Sequence, residues 1–405
     1  MGPYEPAAFV NRFPLLAARP ELIYLDSAAT TQRLDSVLAR LECFYREENS
    51  NVHRGTYDLA AGATAAYEDA RTAIASYVQA TSPEEIIFVR GTTEAINLVA
   101  HCWGPQSIGP GDLILTTAME HHSNFLPWQR VAAERGAQFR VCGLTERGEL
   151  DLEDLDRHLA GGRTKLLAVA HVSNVLGTVN PIKKIAAMAH GAGALVLVDG
   201  ARRADSGPID VADLGCDFYA FSGHKMFAGT GIGVLWGRKD LLERMEPYQL
   251  GGGMVETVTE KGCTCRSLPE KFEAGTPHVA GALGLHCAVD FLKNFPWDSY
   301  DAYRRTVGVH LESALREIPG LRLLGSPTER AGVYAVFHGG VHGHDLATAL
   351  ATKGICVRAG HHCAQPLHRL LGIAASLRAS FSIYNSLEQA EKFVETLRWA
   401  VQVLS

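Results

Sequence analysis

The chain has 405 residues, 47% of them hydrophobic and 20% charged, which supplies a large core and excludes bulk disorder and collagen-like repeats. At roughly 150 residues per domain, this length predicts two or three domains. The net charge of −6 argues against a generic binder of nucleic acid or anionic membrane. Nine cysteines, an odd number without small-scaffold spacing, favour a reducing compartment over a disulfide framework. Residues 1–20 lack a basic segment leading into an apolar one. No apolar run approaches the roughly 18 residues of a membrane helix. The expected protein is cytoplasmic, with neither nucleic acid nor membrane among its partners.

In chain order, a helical pattern over 60–78 precedes a predicted strand at 86–90 and a helix at 93–102. Strands follow at 113–117 and 166–172, a helix at 181–190, then strands at 195–199, 218–222 and 232–236. Several are nearly continuous apolar runs, as expected of strands buried on both faces. The alternation predicts an α/β fold with a largely parallel sheet between helices. Residues 250–274 break it, open with Gly251-Gly252-Gly253 and are expected to form an excursion, such as a hairpin. After a helix at 280–291, the remainder reads as helix 300–317, strands 321–325 and 333–338, helix 345–353, strands 355–358 and 377–384, and helix 387–403. This α+β order sets a boundary near residue 290. The expected domains are an arm over 1–22 joining the small domain, a large domain over 23–290 and a small domain over 291–405.

Five stretches carry chemistry. Phe221-Ser222-Gly223-His224-Lys225 follows a strand and precedes Gly229-Thr230-Gly231-Ile232-Gly233. A lysine among small residues at a strand end can be desolvated into an amine nucleophile, whereas a lone loop lysine is ordinarily just exposed. Neither GxGxxG spacing nor a Walker A sequence is present, so a nucleotide site finds no support. Asp199 ends an apolar strand, where ligands sit in open α/β sheets. It can cap the next helix or pair with the ring nitrogen of pyridoxal phosphate, a cofactor that needs a lysine and an acidic partner. Arg90-Gly91-Thr92-Thr93-Glu94 joins strand to helix and offers hydroxyls and free N–H groups to a phosphate, or a simple helix cap.

Glu120-His121-His122-Ser123-Asn124 can lay an imidazole on a flat ring. No HExxH or CxxC partner points to metal, and no metal is expected. Finally, Arg358-Ala359-Gly360-His361-His362-Cys363-Ala364-Gln365-Pro366 sets a cysteine among basic residues, where nearby positive charge raises the thiolate fraction. The other eight cysteines read as packing or incidental thiols.

Together these stretches resemble the fold-type I pyridoxal-phosphate enzymes of the class V aminotransferase superfamily, and more closely the group II, SUF/CSD-type cysteine desulfurases. Further shared stretches are Tyr24-Leu25-Asp26-Ser27-Ala28-Ala29-Thr30, Asn51-Val52-His53-Arg54, Glu273-Ala274-Gly275-Thr276-Pro277 and Leu377-Arg378-Ala379-Ser380-Phe381. The resemblance spans nearly the whole chain. It implies a seven-stranded, mainly parallel sheet in the large domain and a smaller α+β domain. It also implies residue roles. Lys225 would hold pyridoxal 5'-phosphate as a Schiff base and move protons. Asp199 would bond the pyridinium nitrogen, and His121 would stack on the ring and serve as acid or base. Thr92, Thr93, Ser222 and His224 would hold the phosphate. Thr276 would reach the phosphate of the neighbouring subunit of a homodimer. Asn174 would lie near the cofactor hydroxyl and the substrate carboxylate, and Arg378 would pair with that carboxylate, with Ala28, Asn51, His53 and Arg358 completing the substrate site. Cys363 would take the sulfur of L-cysteine as a persulfide, leaving L-alanine, and pass it to a SufE-like or scaffold acceptor in service of iron–sulfur clusters or another thio-cofactor.

Two departures cluster at the cofactor. Arg202 stands where the family has a glutamine that bonds the phenolic oxygen, and Ala228-Gly229-Thr230-Gly231 replaces a proline-stiffened turn. An arginine there would favour the phenolate or swing away. It therefore keeps open a selenocysteine lyase, a cysteine sulfinate desulfinase or a diverted biosynthetic enzyme as alternatives. A sulfur carrier without turnover is a third reading.

Overall fold

A computed structural model describes residues 4–405. Its large sheet has seven strands in the order Ile86–Val89, Gly233–Gly237, Phe218–Ser222, Leu195–Asp199, Thr164–Ala170, Leu113–Thr117, Gln138–Cys142. Gly233–Gly237 runs antiparallel to both neighbours, and the other pairings are parallel. Side chains alternate across the sheet, so Val196 and Val198 enter one core while Leu197 enters the other. Tyr219 and Phe221 divide from Phe218 and Ala220 in the same way. Helices Thr92–Cys102 and Leu126–Arg135 cover one face; Asp58–Tyr77, Ile182–Gly191 and Val279–Lys293 cover the other. With both faces dry, the sheet's functional groups are confined to strand ends.

The second sheet is antiparallel, ordered Leu321–Leu323, Val333–His338, Ser376–Ser380, Arg358–Gly360. Helices Trp297–Arg316, Gly343–Ala351 and Leu387–Leu404 close one face with Leu311, Leu346, Leu377, Ala379 and Phe393. Period-two alternation turns Arg378 to the opposite face. A small cluster there joins Val175 and Leu176 to Ala335, Ala364 and Leu367, bringing the segment around Cys363 against the loop around Asn174.

Several elements differ from the sequence reading. The strand expected at 355–358 divides: Ile355–Cys356 pairs with Ile23–Tyr24, and Arg358–Gly360 joins the second sheet. Residues 23–25, expected to open the large domain, therefore lie with the smaller unit, because Leu25 packs into its core. The strand expected at 377–384 stops at Ser380. Gln138–Cys142 was not anticipated. It is an edge strand, largely exposed, and has no continuous apolar run to announce it. The excursion contains the hairpin Val255–Thr259 and Gly262–Cys265. In the described part of the arm, Tyr4 donates to the Ile383 carbonyl and Phe13 packs on Phe227 and Tyr384.

Candidate active site

Strand Phe218–Ser222 ends in a tight turn, Gly223–Lys225, that directs Lys225 into a cavity of about 310 Å³ between the two units. This volume lies at the small end of the range for small-molecule sites. Burial lowers the Lys225 ammonium to about 8, against an opposing pull from Asp199. Asp199 ends the neighbouring strand at the cavity floor, where Oδ1 accepts from the Ala201 N–H at 2.9 Å. Burial pushes its carboxyl up, and the Ala201 N–H and Lys225 pull it down. A carboxylate so desolvated is stabilised by a cationic or N–H partner.

His121 lines the same space. Its Nδ1 accepts from the Ser123 N–H at 3.1 Å, which assigns the ring proton to Nε2. Burial first, then Lys225, holds its pKa down to about 3, so the ring is neutral at physiological pH. The loop rests on Glu120, a carboxyl raised by burial to about 8. Glu120 accepts from Thr117 Oγ1 at 2.5 Å, Asn124 Nδ2 at 2.6 Å and the Ala170 N–H at 3.0 Å.

Helix Thr92–Cys102 begins at the cavity wall. Ser222 Oγ lies 2.8 Å from the Thr92 N–H and 2.7 Å from Thr92 Oγ1, and Thr93 Oγ1 is 2.7 Å from Ser123 Oγ. The close approach needs glycine: a Cβ at Gly233 would stand 2.5 Å from Gly91 Cα. Hydroxyls at a helix N-terminus form an anion cradle. His224 Nδ1 lies 3.3 Å from Thr30 Oγ1 at its rim.

The opposite wall is Arg378, 2% exposed. Its Nη1 donates to the Asn174 carbonyl at 3.0 Å and its Nη2 to Asp26 Oδ1 at 3.1 Å. Arg358 Nη2 also donates to Asp26, at 2.9 Å. Burial lowers the Arg378 guanidinium to about 10, opposed by Asp26. Asp26 was not identified from sequence. A single acid in a Ser/Ala/Thr-rich turn gives no signal that it anchors two arginines.

Cys363 is exposed at the mouth. Both His362 and Cys363 take left-handed backbone, φ 51° and 56°, at about 1–3 kcal/mol each. Their carbonyls are tied down: Asn174 Nδ2 donates to His362 O at 2.7 Å, and the His122 N–H to Cys363 O at 2.7 Å.

The cavity thus gathers Ala28, Thr92, Thr93, His121, Asn174, Asp199, Arg202, Ser222, His224, Lys225, Arg358, Cys363 and Arg378. Asn51, His53 and Thr276 lie elsewhere, in a separate cleft. Among the described residues, no cluster of three or more His, Cys, Asp or Glu is arranged to hold a metal, and no helix is long and apolar enough to cross a membrane. The donor set suits pyridoxal phosphate. It combines a desolvated lysine, a buried carboxylate that would suit a protonated ring nitrogen, a neutral imidazole that would suit stacking and a hydroxyl-lined helix end that would suit a phosphate.

The aminotransferase class-V family model matches residues 23–393. A probable cysteine desulfurase of Halalkalibacterium halodurans is 49% identical over 376 residues, 93% of this chain and 92% of that protein. The crystal structure of the cysteine desulfurase CsdA (S-sulfonic acid) from Escherichia coli superposes with a TM-score of 0.92 at 39% identity, covering all of both chains. The apo structure of a cysteine desulfurase from Thermococcus onnurineus gives 0.94 at 36% identity, covering 100% of this chain and 99% of that one.

Proposed function

The chain belongs to the aminotransferase class-V family, and from that premise we infer that it is a pyridoxal 5'-phosphate-dependent cysteine desulfurase in which Cys363 receives the sulfur. The observation that carries the reading is one cavity lined by Lys225, Asp199, Arg378 and Cys363. When bound, pyridoxal phosphate supplies an electron sink for the carbon adjacent to the substrate's carboxylate.

Lys225 holds the cofactor through Nζ and, with an ammonium near 8, takes and returns protons near neutral pH. Asp199 retains a proton on the ring nitrogen. Thr92, Thr93, Ser222 and His224 bind the phosphate, and neutral His121 covers the ring. Arg378, steadied by Asp26 and the Asn174 carbonyl, orients L-cysteine by its carboxylate. The Cys363 thiolate then attacks the substrate sulfur. The bond from that sulfur to the β-carbon breaks, its electron pair returns to carbon, and protonation yields L-alanine and a Cys363 persulfide.

The working unit is a homodimer, with Thr276 of each copy completing the partner's phosphate site. The support is that Thr276, Asn51 and His53 lie outside this chain's own cavity, together in one cleft. A SufE-like or scaffold acceptor takes the sulfur. Its support is the exposure of Cys363 in a loop whose carbonyls are fixed, so that the acceptor must come to the thiol. A cytoplasmic setting is the reading that nine free cysteines support.

The test is alanine and sulfide release from L-cysteine with a thiol present. If Cys363→Ala releases alanine as fast as the unaltered protein, the persulfide route is wrong. A second reading, turnover of cysteine sulfinate or selenocysteine, draws on Arg202 as an added cation in the cavity. A screen in which L-cysteine far outpaces both removes it.

A further inference from the structure

Asn51, His53 and Thr276 line one cleft outside the Lys225 cavity, on two segments far apart in the sequence. All three are exposed, and their backbone is demanding. His53 takes left-handed backbone with φ 69°, and Gly275, beside Thr276, has φ 90°. A residue with a β-carbon keeps such a conformation only where its surroundings fix it. The His53 N–H donates to Thr64 Oγ1 at 2.9 Å, and the Gly275 N–H to the Gly252 carbonyl at 2.7 Å.

Beneath the cleft one buried arginine joins the two segments. Arg71, on helix Asp58–Tyr77, is 1% exposed. Its Nη1 and Nη2 donate to the two oxygens of Glu273 at 2.7 and 2.9 Å. Its Nε donates to Glu68 Oε2 at 2.9 Å, and Glu68 Oε1 lies 3.5 Å from His53 Nε2. A chain of side chains, His53–Glu68–Arg71–Glu273, thus runs from one segment to the other. Its far end is fixed, because Glu273 also accepts from the Tyr67 hydroxyl at 2.9 Å and the Phe88 N–H at 2.8 Å. The guanidinium donates to the Ile86 carbonyl at 2.8 Å and lies over the rings of Tyr67 and Phe88. A planar fork gripped in this way holds a carboxylate in one orientation. Stability alone does not require such a pair, since apolar residues of similar volume commonly serve as well. What the pair adds is a fixed relation between 51–53 and 273–276.

We propose that Arg71 and Glu273 are positioning residues for the partner subunit's cofactor site. Their ion pair holds Thr276, and through Glu68 also His53, in the geometry that completes the partner's phosphate and substrate pockets. The pair touches neither cofactor nor substrate. None of these residues lines the Lys225 cavity of its own subunit, so the effect is exerted across the dimer.

The proposal rests on the reading of a homodimer with shared sites, and one experiment separates the two. Heterodimers are assembled in which one subunit carries Lys225→Ala. The visible absorption of Lys225-linked pyridoxal phosphate then reports the other subunit's cavity alone. Glu273→Gln, which removes the charge, is placed on either subunit, and Kd for pyridoxal phosphate is measured. Placed with Lys225→Ala, the altered segment serves the reporting cavity. Kd is then expected to rise about tenfold, the scale of one lost hydrogen bond to a charged group. Placed on the subunit that keeps Lys225, it serves the silent cavity, and Kd is expected to stay unchanged. A merely structural role weakens the reporting site in both placements or in neither, and either result overturns the proposal. Thr276→Ala in the same two placements tests the shared site itself. If Thr276→Ala acts across the dimer and Glu273→Gln does not, the proposal alone falls. If Thr276→Ala does not, the shared-site reading falls and the proposal with it. Should Glu273→Gln fail to fold, Arg71→Lys, which keeps the charge but not the fork, decides by the same rule.

Discussion

Asp26 Oδ1 lies 3.1 Å from Arg378 Nη2, although the two residues belong to opposite ends of the chain. The guanidinium offered to a substrate carboxylate is therefore already oriented by a protein carboxylate. Asp26→Asn is expected to raise KM for L-cysteine about tenfold or more, since a hydrogen bond to a charged group contributes about 1.5–3 kcal/mol. Steady-state kinetics check this. An unchanged KM would mean that Arg378 keeps its orientation without Asp26.

Cys363→Ala is expected to lower alanine release from L-cysteine by about two orders of magnitude or more. The absorption spectrum of the loaded cofactor should remain, because Cys363 is at the cavity mouth while Lys225 and Asp199 hold the floor. Loss of both the spectrum and the activity would point to a structural role for the loop instead.

Loading of the cofactor onto apoprotein is expected to depend on a free amine with a midpoint near 8, where burial sets Lys225. At pH 7 about one amine in ten is then neutral, against about one in three thousand for an ordinary lysine. The association rate followed by absorbance should level off above pH 9. A rate still climbing tenfold per unit at pH 10 would show that Lys225 is unperturbed. Between about 8 and 10.5 the folded state binds fewer protons at this residue than the unfolded chain. The contribution of Lys225 to apoprotein stability therefore increases with pH through that window.

Gly233→Ala tests the phosphate cradle from its back. The added methyl would meet Gly91 Cα at 2.5 Å and the Phe221 carbonyl at 2.7 Å, both of them backbone. Overpacking of this kind destabilises by about 1–3 kcal/mol, and the displaced Gly91–Thr92 turn should weaken pyridoxal-phosphate binding. A lower Tm together with a higher Kd for the cofactor is expected. A variant with both unchanged would show that the turn yields freely.

What sequence could reveal follows burial. The central strands are apolar on both faces, so 195–199 and 218–222 were readable to the residue, and Asp199 and Lys225 were located with them. Gln138–Cys142 has a wet edge and left no such trace. Arg378 could be assigned to a strand, but its two anchors, Asp26 and the Asn174 carbonyl, are set by tertiary contact across most of the chain. Arg202 was recognised as a departure, while Asp205, 3.1 Å from its Nη1, stayed invisible. A spacing of three residues marks an ion pair only on a helix, and these two stand in an irregular turn. The split between Ile355–Cys356 and Arg358–Gly360 was hidden because both halves read as one short β run.

The Cys363 loop hangs from both halves of the molecule. Its own chain belongs to the smaller sheet's surroundings, while Asn174 and His122, from the larger half, grip the carbonyls of His362 and Cys363. The distance between the sulfur and Lys225 is thus a measure of how closely the halves are docked. Any ligand that wedges them apart would withdraw the thiol from the chemistry while leaving every reacting group intact.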